Sequence, residues 1–303
     1  MKIAIIGATG GVGSTVAYSL ALNGAGDELV LIARRADVLQ THVWDLEQLR
    51  TSARPFVVRA GTVSDTVDAD VVVLSAAAPP RRDSQRMEYL AENVAIAQDT
   101  ARTLAALPNW PGVLIVASNP VDPLVTILQR TTRIDRHRVL GYTANDSVRL
   151  RFGIAQVLGV EPHRVLAWVL GEHGDRCVPL FDNVQVDGKP IQLDDEQQTA
   201  ARDYLLGWYR RWVELGVSRT SSWLSGHGIA SMIRAIATDS GELWPSAAVL
   251  AGEYGITGTA VGVPVRLTRS GAAEVLEWPL NDSDRRALQD AARYVAAAAA
   301  QVD

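Results

Sequence analysis

The opening run "KIAIIGATGGVGSTVAYSL" constrains this chain more than any other segment. An apolar strand ends in a loop carrying Gly7, Gly10, Gly11 and Gly13, and the loop passes straight into a helical pattern. Glycines so placed allow a tight turn, close approach of the backbone to a pyrophosphate, and close packing of helix on strand. The helix start adds N–H donors and the positive end of a dipole. Gly7, Gly10, Gly11, Val12 and Gly13 are therefore the candidate pyrophosphate contacts of a dinucleotide site. An ordinary glycine-rich turn is the plainer alternative, and the strand-loop-helix context argues against it.

The remainder of the first half repeats that grammar. "ELVLIA", "PFVVRAG", "DVVVLSAA", "GVLIVASN" and "RVLGY" are continuous apolar runs, as expected of parallel strands covered on both faces. Segments with helical spacing lie between them, including "RMEYLAENVAIAQDTARTLAAL". The expectation is an α/β fold built on a doubly wound (Rossmann) parallel sheet over residues 1–143. From 144 to 303 the pattern becomes α+β. "VQVDGKPIQL" signals a hairpin at Asp187-Gly188. "DEQQTAARDYLLGWYRRWVELG" reads as a long amphipathic helix, with Trp208 and Trp212 as core or subunit-contact residues. "WPSAAVLAGEYGI", "TAVGVPVRLTRSG" and "AAEVLEWPL" read as antiparallel strands before a last helix from about Asp282. Ligand is expected between the two lobes, at the carboxyl ends of the sheet.

Composition narrows the partners. With 303 residues, a formal net charge of -5 and a pI near 5.6, the bulk field attracts neither nucleic acid nor an anionic membrane. No apolar run approaches the roughly 20 residues of a membrane span, and the start of the chain has no leader-like pattern. The one cysteine, Cys177, cannot form an internal disulfide, and no metal-ligand spacing is evident. A cytoplasmic protein without a metal, acting on a small molecule, fits these facts. Lys2 and Lys189 are the only lysines in an arginine-rich chain.

A second constellation lies beyond the sheet. "GEHGDRCVP" sets His173 in a Gly-bounded turn, and "NDSVRLRFG" places Asp146 and Arg149 on one helix face. A carboxylate beside an imidazole fixes its tautomer and favours its charged form, which suits an acid/base. An arginine beside both can grip a carboxylate through two parallel hydrogen bonds. The charged stretch "PPRRDSQRMEYLAEN", just after the fourth strand, reads as a loop that could bring Arg86 over bound substrate. In "ASNPVDPL", Asn119 ends a strand at the ligand face. Short-chain reductases share the glycine turn but need a Tyr with a Lys four residues on, and neither lysine has one.

Taken together, "GATGGVG", "SNPVDP", the Asp-x-x-Arg of "NDSVR", "GEHGDRCVP" and "GEYGI...VGVPVRL" resemble the lactate and malate dehydrogenase superfamily in order and spacing, over essentially the full chain. The resemblance implies a nicotinamide cofactor, a 2-oxo or 2-hydroxy acid, and direct hydride transfer between them. By the same resemblance His173 is the general acid/base and Asp146 its orienting partner. Arg149 clamps the C1 carboxylate and Arg86 polarises the carbonyl when the loop closes. Asn119 contacts substrate and cofactor, and Asn93 stands among the cofactor contacts. A homodimer or homotetramer is implied, with the region around Trp44 packing on a second subunit.

Two departures refine the expectation. In the malate-type loop an arginine meets the second carboxylate; here Pro80 occupies its place and Arg81 follows. A one-residue slip brings Arg81 into the role, and two adjacent arginines favour a diacid, although Asp83 keeps another 2-oxo acid in play. The ribose-reading position after the second strand holds Ala33 rather than an acid, followed by Arg34 and Arg35. An acid would repel a 2'-phosphate, whereas arginines can hold one. The reading is an NADP(H)-preferring malate dehydrogenase, with NAD as the alternative cofactor. The alternative functions are a dehydrogenase for another 2-oxo acid and a non-catalytic dinucleotide sensor. A nucleotide-dependent glycosidase using His173 and Cys177 as metal ligands is a further rival.

Overall fold

The computed structural model describes residues 1–23, 25–79, 89–107, 109–216 and 222–302. Arg81 and Arg86, with Pro80 and Asp83, lie outside the described residues.

The first half alternates as its apolar runs dictate: β1 (Lys2–Ile6), α1 (Gly11–Asn23), β2 (Glu28–Ile32), α2 (Ala36–Gln48), β3 (Val57–Ala60), β4 (Val71–Leu74), α3 (Leu90–Ala105), β5 (Val113–Val116), α4 (Val121–Thr132) and β6 (Val139–Tyr142). These strands pair in parallel in the order β3-β2-β1-β4-β5-β6. The chain winds outward from β1 in one direction and from β4 in the other, so a switch point opens between them. Side chains alternate across the sheet: Ile3 and Ile5 join a core with α1 and α2, while Ala4 and Ile6 join one with α3 and α4. Burial on both faces explains why these strands read as unbroken apolar runs.

The second half comprises α5 (Ala144–Leu158), β7 (Val165–Leu166), β8 (Val169–Gly171), β9 (Cys177–Pro179), β10 (Gln185–Val186), β11 (Lys189–Pro190), α6 (Asp195–Glu214), α7 (Trp223–Ala237), β12 (Leu243–Ala251), β13 (Thr257–Thr268), β14 (Gly271–Val275) and α8 (Asp282–Ala300). The predicted hairpin is β10-β11, whose turn residues Asp187 and Gly188 both have positive φ, 50° and 74°. The predicted long helix is α6. The three late strands are β12, β13 and β14, and the last helix is α8. Helix α7 has no counterpart in the sequence reading. Its Gly226 and Gly228 bring it hard against Thr15 and Tyr142, a small-residue signal that hydrophobic periodicity does not carry.

The two halves share one sheet. Strand β12 pairs antiparallel with β6, and the sheet continues through β13 to β8 and β9. The carboxyl end of the parallel sheet and the β8-β9 connection thus belong to one framework. A third core under α5 and α6 gathers Leu150, Ile154, Ala201 and Leu205.

Candidate active site

The glycine loop is held by the strand beside it. The N–H groups of Gly7 and Ala8 both donate to the Ile32 carbonyl, at 2.9 and 3.1 Å. Gly7 has φ +87°, and a side chain there would meet the Ala76 nitrogen at 2.5 Å. A side chain on Gly13 would strike the Gly7 carbonyl and come within 2.8 Å of Ser75 Oγ. The first intrahelical bond of α1 runs from Ser14 N–H to the Gly10 carbonyl at 2.9 Å, so the N–H groups of Gly11, Val12 and Gly13 precede the helical ladder. A surface stripped of Cβ atoms, backed by a helix N-terminus, fits a pyrophosphate.

Because Ile32 is bonded to that loop, Ala33, Arg34 and Arg35 follow directly beside it. Both arginines are exposed, and among the described residues neither side chain makes a hydrogen bond or ion pair. Asp37 lies in the first turn of α2, where a carboxylate suits the dipole, but it makes no cap; Arg35 occupies the cap position without a side-chain bond.

Across the sheet edge, His173 sits at the tip of the β8-β9 connection. The turn is braced by Glu172, whose Oε2 accepts from Arg176 N–H at 3.0 Å and whose carbonyl accepts from Gly174 N–H at 2.8 Å. His173 Nδ1 lies 2.5 Å from Asp146 Oδ2, and Arg149 Nη1 lies 3.3 Å from Asp146 Oδ1. All three side chains are largely buried: His173 is 8% exposed, Asp146 10% and Arg149 13%. An ionised carboxylate only accepts, so the proton of the neutral ring stands on Nδ1 and Nε2 is the atom for proton exchange.

The expected face-sharing of Asp146 and Arg149 on α5 is what unites this trio. A second acid, Asp122 in the first turn of α4, accepts the His173 backbone N–H at 2.8 Å. Burial, with Glu172 and Asp146 nearby, pushes its carboxyl well above the usual carboxylate range. Sequence reasoning passed over Asp122 and Glu172, although both lie inside quoted motifs.

Asn119 follows β5 at the same edge, and its Oδ1 is buried with no hydrogen-bond partner. An orphaned acceptor at that edge suits a ligand N–H or O–H. Thr143 Oγ1, following β6, is buried and unpartnered as well. Asn93 is a different case. Its Oδ1 accepts from Ala78 N–H at 2.7 Å and its Nδ2 donates to the Asn119 carbonyl at 2.5 Å. The amide that the resemblance set among cofactor contacts braces the backbone that carries Asn119. Trp208, read as a core or subunit-contact residue, lies over Arg149, with the guanidinium carbon 4.1 Å from the ring centroid. Burial pushes the Cys177 thiol well above its ordinary value. Among the described residues no cluster of three or more His, Cys, Asp or Glu side chains could hold a metal.

Residues 1–141 match the lactate/malate dehydrogenase NAD binding domain, and residues 143–302 match the alpha/beta C-terminal domain of the same family. The chain belongs to the lactate/malate dehydrogenase family. As a member it is a nicotinamide-dinucleotide-dependent 2-hydroxy acid dehydrogenase, with the Rossmann and α/β halves seen here. It is 37% identical to a malate dehydrogenase of Haloferax volcanii over 297 residues, covering 96% of each chain. It is 34% identical to an L-lactate dehydrogenase of Mesoplasma florum, covering 95% of this chain and 92% of that one. The crystal structure of the minor L-lactate dehydrogenase from Enterococcus mundtii in its ligands-bound form superposes with a TM-score of 0.91 at 26% identity, covering 100% and 98% of the two chains.

Proposed function

We propose that the protein is an NADP(H)-preferring malate dehydrogenase that reversibly converts malate and oxaloacetate. The observation that carries the reading is the 2.5 Å contact between His173 Nδ1 and Asp146, with Arg149 on the same carboxylate. The bound cofactor supplies or accepts hydride at C4 of its nicotinamide ring. Gly7, Gly10, Gly11, Val12 and Gly13 hold the pyrophosphate, and Asn119 offers its orphaned oxygen to cofactor or substrate. His173 delivers a proton from Nε2 to the carbonyl oxygen in reduction and removes it in oxidation. Proton transfer by a side chain so placed contributes about 10²- to 10⁴-fold to rate, and Asp146 holds the ring for it and stabilises the imidazolium. Arg149 grips the C1 carboxylate in a planar fork. Arg86 polarises the carbonyl, and Arg81 meets the second carboxylate. Replacing His173 by Asn is expected to lower kcat at least about 10²-fold while leaving the cofactor dissociation constant unchanged. A variant within about twofold of wild type would remove the role.

The cofactor preference is supported by the absence of an acid at Ala33 and by two unpaired, exposed arginines next to the loop that Ile32 anchors. A 2'-phosphate there gains charge-assisted hydrogen bonds. The test is a panel of initial rates for 2-oxo acids, each with NADPH and NADH. Oxaloacetate with NADPH should give the largest kcat/KM, and changing Arg34 and Arg35 to Ala should raise KM for NADPH about tenfold or more without affecting NADH. NADH preferred by a wide margin in the wild type would refute the cofactor reading. Lactate-type relatives at an identity similar to that of the malate-type ones favour pyruvate or another 2-oxo acid as the second reading, which the same panel decides. We also propose a homodimer or homotetramer, and a reducing cytoplasmic setting compatible with the free Cys177.

A further inference from the structure

Helices α5 and α6 meet through a ladder of rings and cations. Phe152 stacks on Tyr204 with centroids 5.4 Å apart and planes 27° from parallel. Arg211 lies over Tyr204, 4.9 Å from its centroid, and donates to the Tyr204 carbonyl at 3.0 Å. The next rung pairs Arg149 with Trp208 at 4.1 Å. Residue numbers fall on α5 as they rise on α6, so the helices run antiparallel. Tyr204 and Trp208 are one turn apart on one face, as are Phe152 and Arg149 on the other.

We propose that Trp208 is a positioning residue that sets the plane of the Arg149 guanidinium for bidentate capture of the substrate's C1 carboxylate. The inference rests on the reading of Arg149 as that clamp. A guanidinium presents its donors in its own plane, and a fork of two parallel hydrogen bonds requires the carboxylate to lie close to that plane. A guanidinium seated over a ring at this distance is held through its charge, and the contact does not require it to spend an N–H group. The bond from Nη1 to Asp146 restrains rotation within the plane, and the indole sets its tilt. Asp146 thereby couples the clamp to His173, while Trp208 levels the clamp from the other helix. Among aromatic faces, that of tryptophan attracts a guanidinium more strongly than that of tyrosine or phenylalanine.

A distinct kinetic pattern follows. Every 2-oxo acid carries the C1 carboxylate, so a tilted clamp weakens all of them alike, whatever the rest of the molecule. A residue that merely lined the pocket would alter their ranking. In Trp208→Leu, which keeps apolar bulk and loses the ring, KM for each accepted 2-oxo acid is expected to rise about tenfold, and by a similar factor across the panel. The dissociation constant of the cofactor and kcat at saturation should stay within about twofold of wild type. Trp208→Phe keeps a ring and should return KM to within about threefold of wild type. An unchanged KM in the Leu variant, equal losses in the Leu and Phe variants, or a loss confined to some substrates would overturn the role. A wild-type protein inert toward every 2-oxo acid would instead bring down the functional reading, and this inference with it.

Discussion

His173 is approached by two acids of opposite character. Asp146 touches the ring, while Asp122 holds the backbone N–H from α4 and is buried with a carboxyl pKa above its ordinary value. In the unfolded chain Asp122 loses its proton near pH 3.8, whereas in the folded chain it keeps the proton to higher pH. Between those two values the folded state binds more protons than the unfolded one, so this group makes stability fall as pH rises. Its contribution is full below the unfolded value and is lost as pH passes through the folded one. Asp122→Asn keeps an acceptor for the His173 N–H and removes the titration. The variant is expected to unfold at a higher temperature than wild type at pH 7, with the gap closing toward pH 4, as read from thermal midpoints across that range. A gap that widens toward acid would show that Asp122 is ionised in the fold. Asp146 and Arg149 were legible because a spacing of three on a helix is a geometric statement. Asp122 was hidden because nothing local distinguishes an acid at a helix start from one inserted under another loop's backbone. Trp208 was hidden because an aromatic on a helix face reads the same whether it covers aliphatic side chains or a guanidinium.

At the scale of the element, the β1-loop-α1 unit shows how glycines position a site. The loop is closed by Ile32 of the neighbouring strand and roofed by Ser75 and Ala76 after β4, so it is framed by three strands at the switch point. Gly13→Ala would press a methyl against the Gly7 carbonyl and Ser75. Relief requires backbone movement, for which overpacking costs of about 1–3 kcal/mol are usual. The expected result is a lowered thermal midpoint together with weaker cofactor binding, measured by unfolding and by titration. An unchanged affinity would mean that the pyrophosphate does not use this surface. The element was plain in the sequence because strand, loop and helix signals are contiguous there. Helix α7 was not, since its placement against Thr15 and Tyr142 depends on small residues meeting distant partners. The β8-β9 turn was legible only as a Gly-bounded histidine, because its brace from Glu172 is a contact between side chain and backbone that spacing does not encode.

Across the whole molecule, large apolar side chains remain outside the cores: Trp44 on α2 is 56% exposed, and Tyr18 and Leu22 on α1 are each 50% exposed. A tryptophan this open suits burial against a second copy, as proposed above. Trp44→Lys is expected to reduce the solution mass toward that of one chain, as seen by sedimentation or light scattering, with the fold intact by circular dichroism. An unchanged mass would exclude this face from the contact. The alternation of strands and helices that the sequence made visible runs through the parallel half except between β3 and β4, which a single 3-10 turn connects. The joint between the halves was not visible, because pairing of β6 with β12 links segments a hundred residues apart. That joint bears on how such chains can be recombined. Tyr142 pairs with Ser246, and Gly141 with Ala247, directly at the seam where the two family models meet. Exchanging the front half for a relative's would splice through a hydrogen-bonded ladder. A chimera with altered cofactor use must therefore carry β6 and β12 across together, or confine its changes to Ala33, Arg34 and Arg35, which lie far from the seam on the other flank of the sheet.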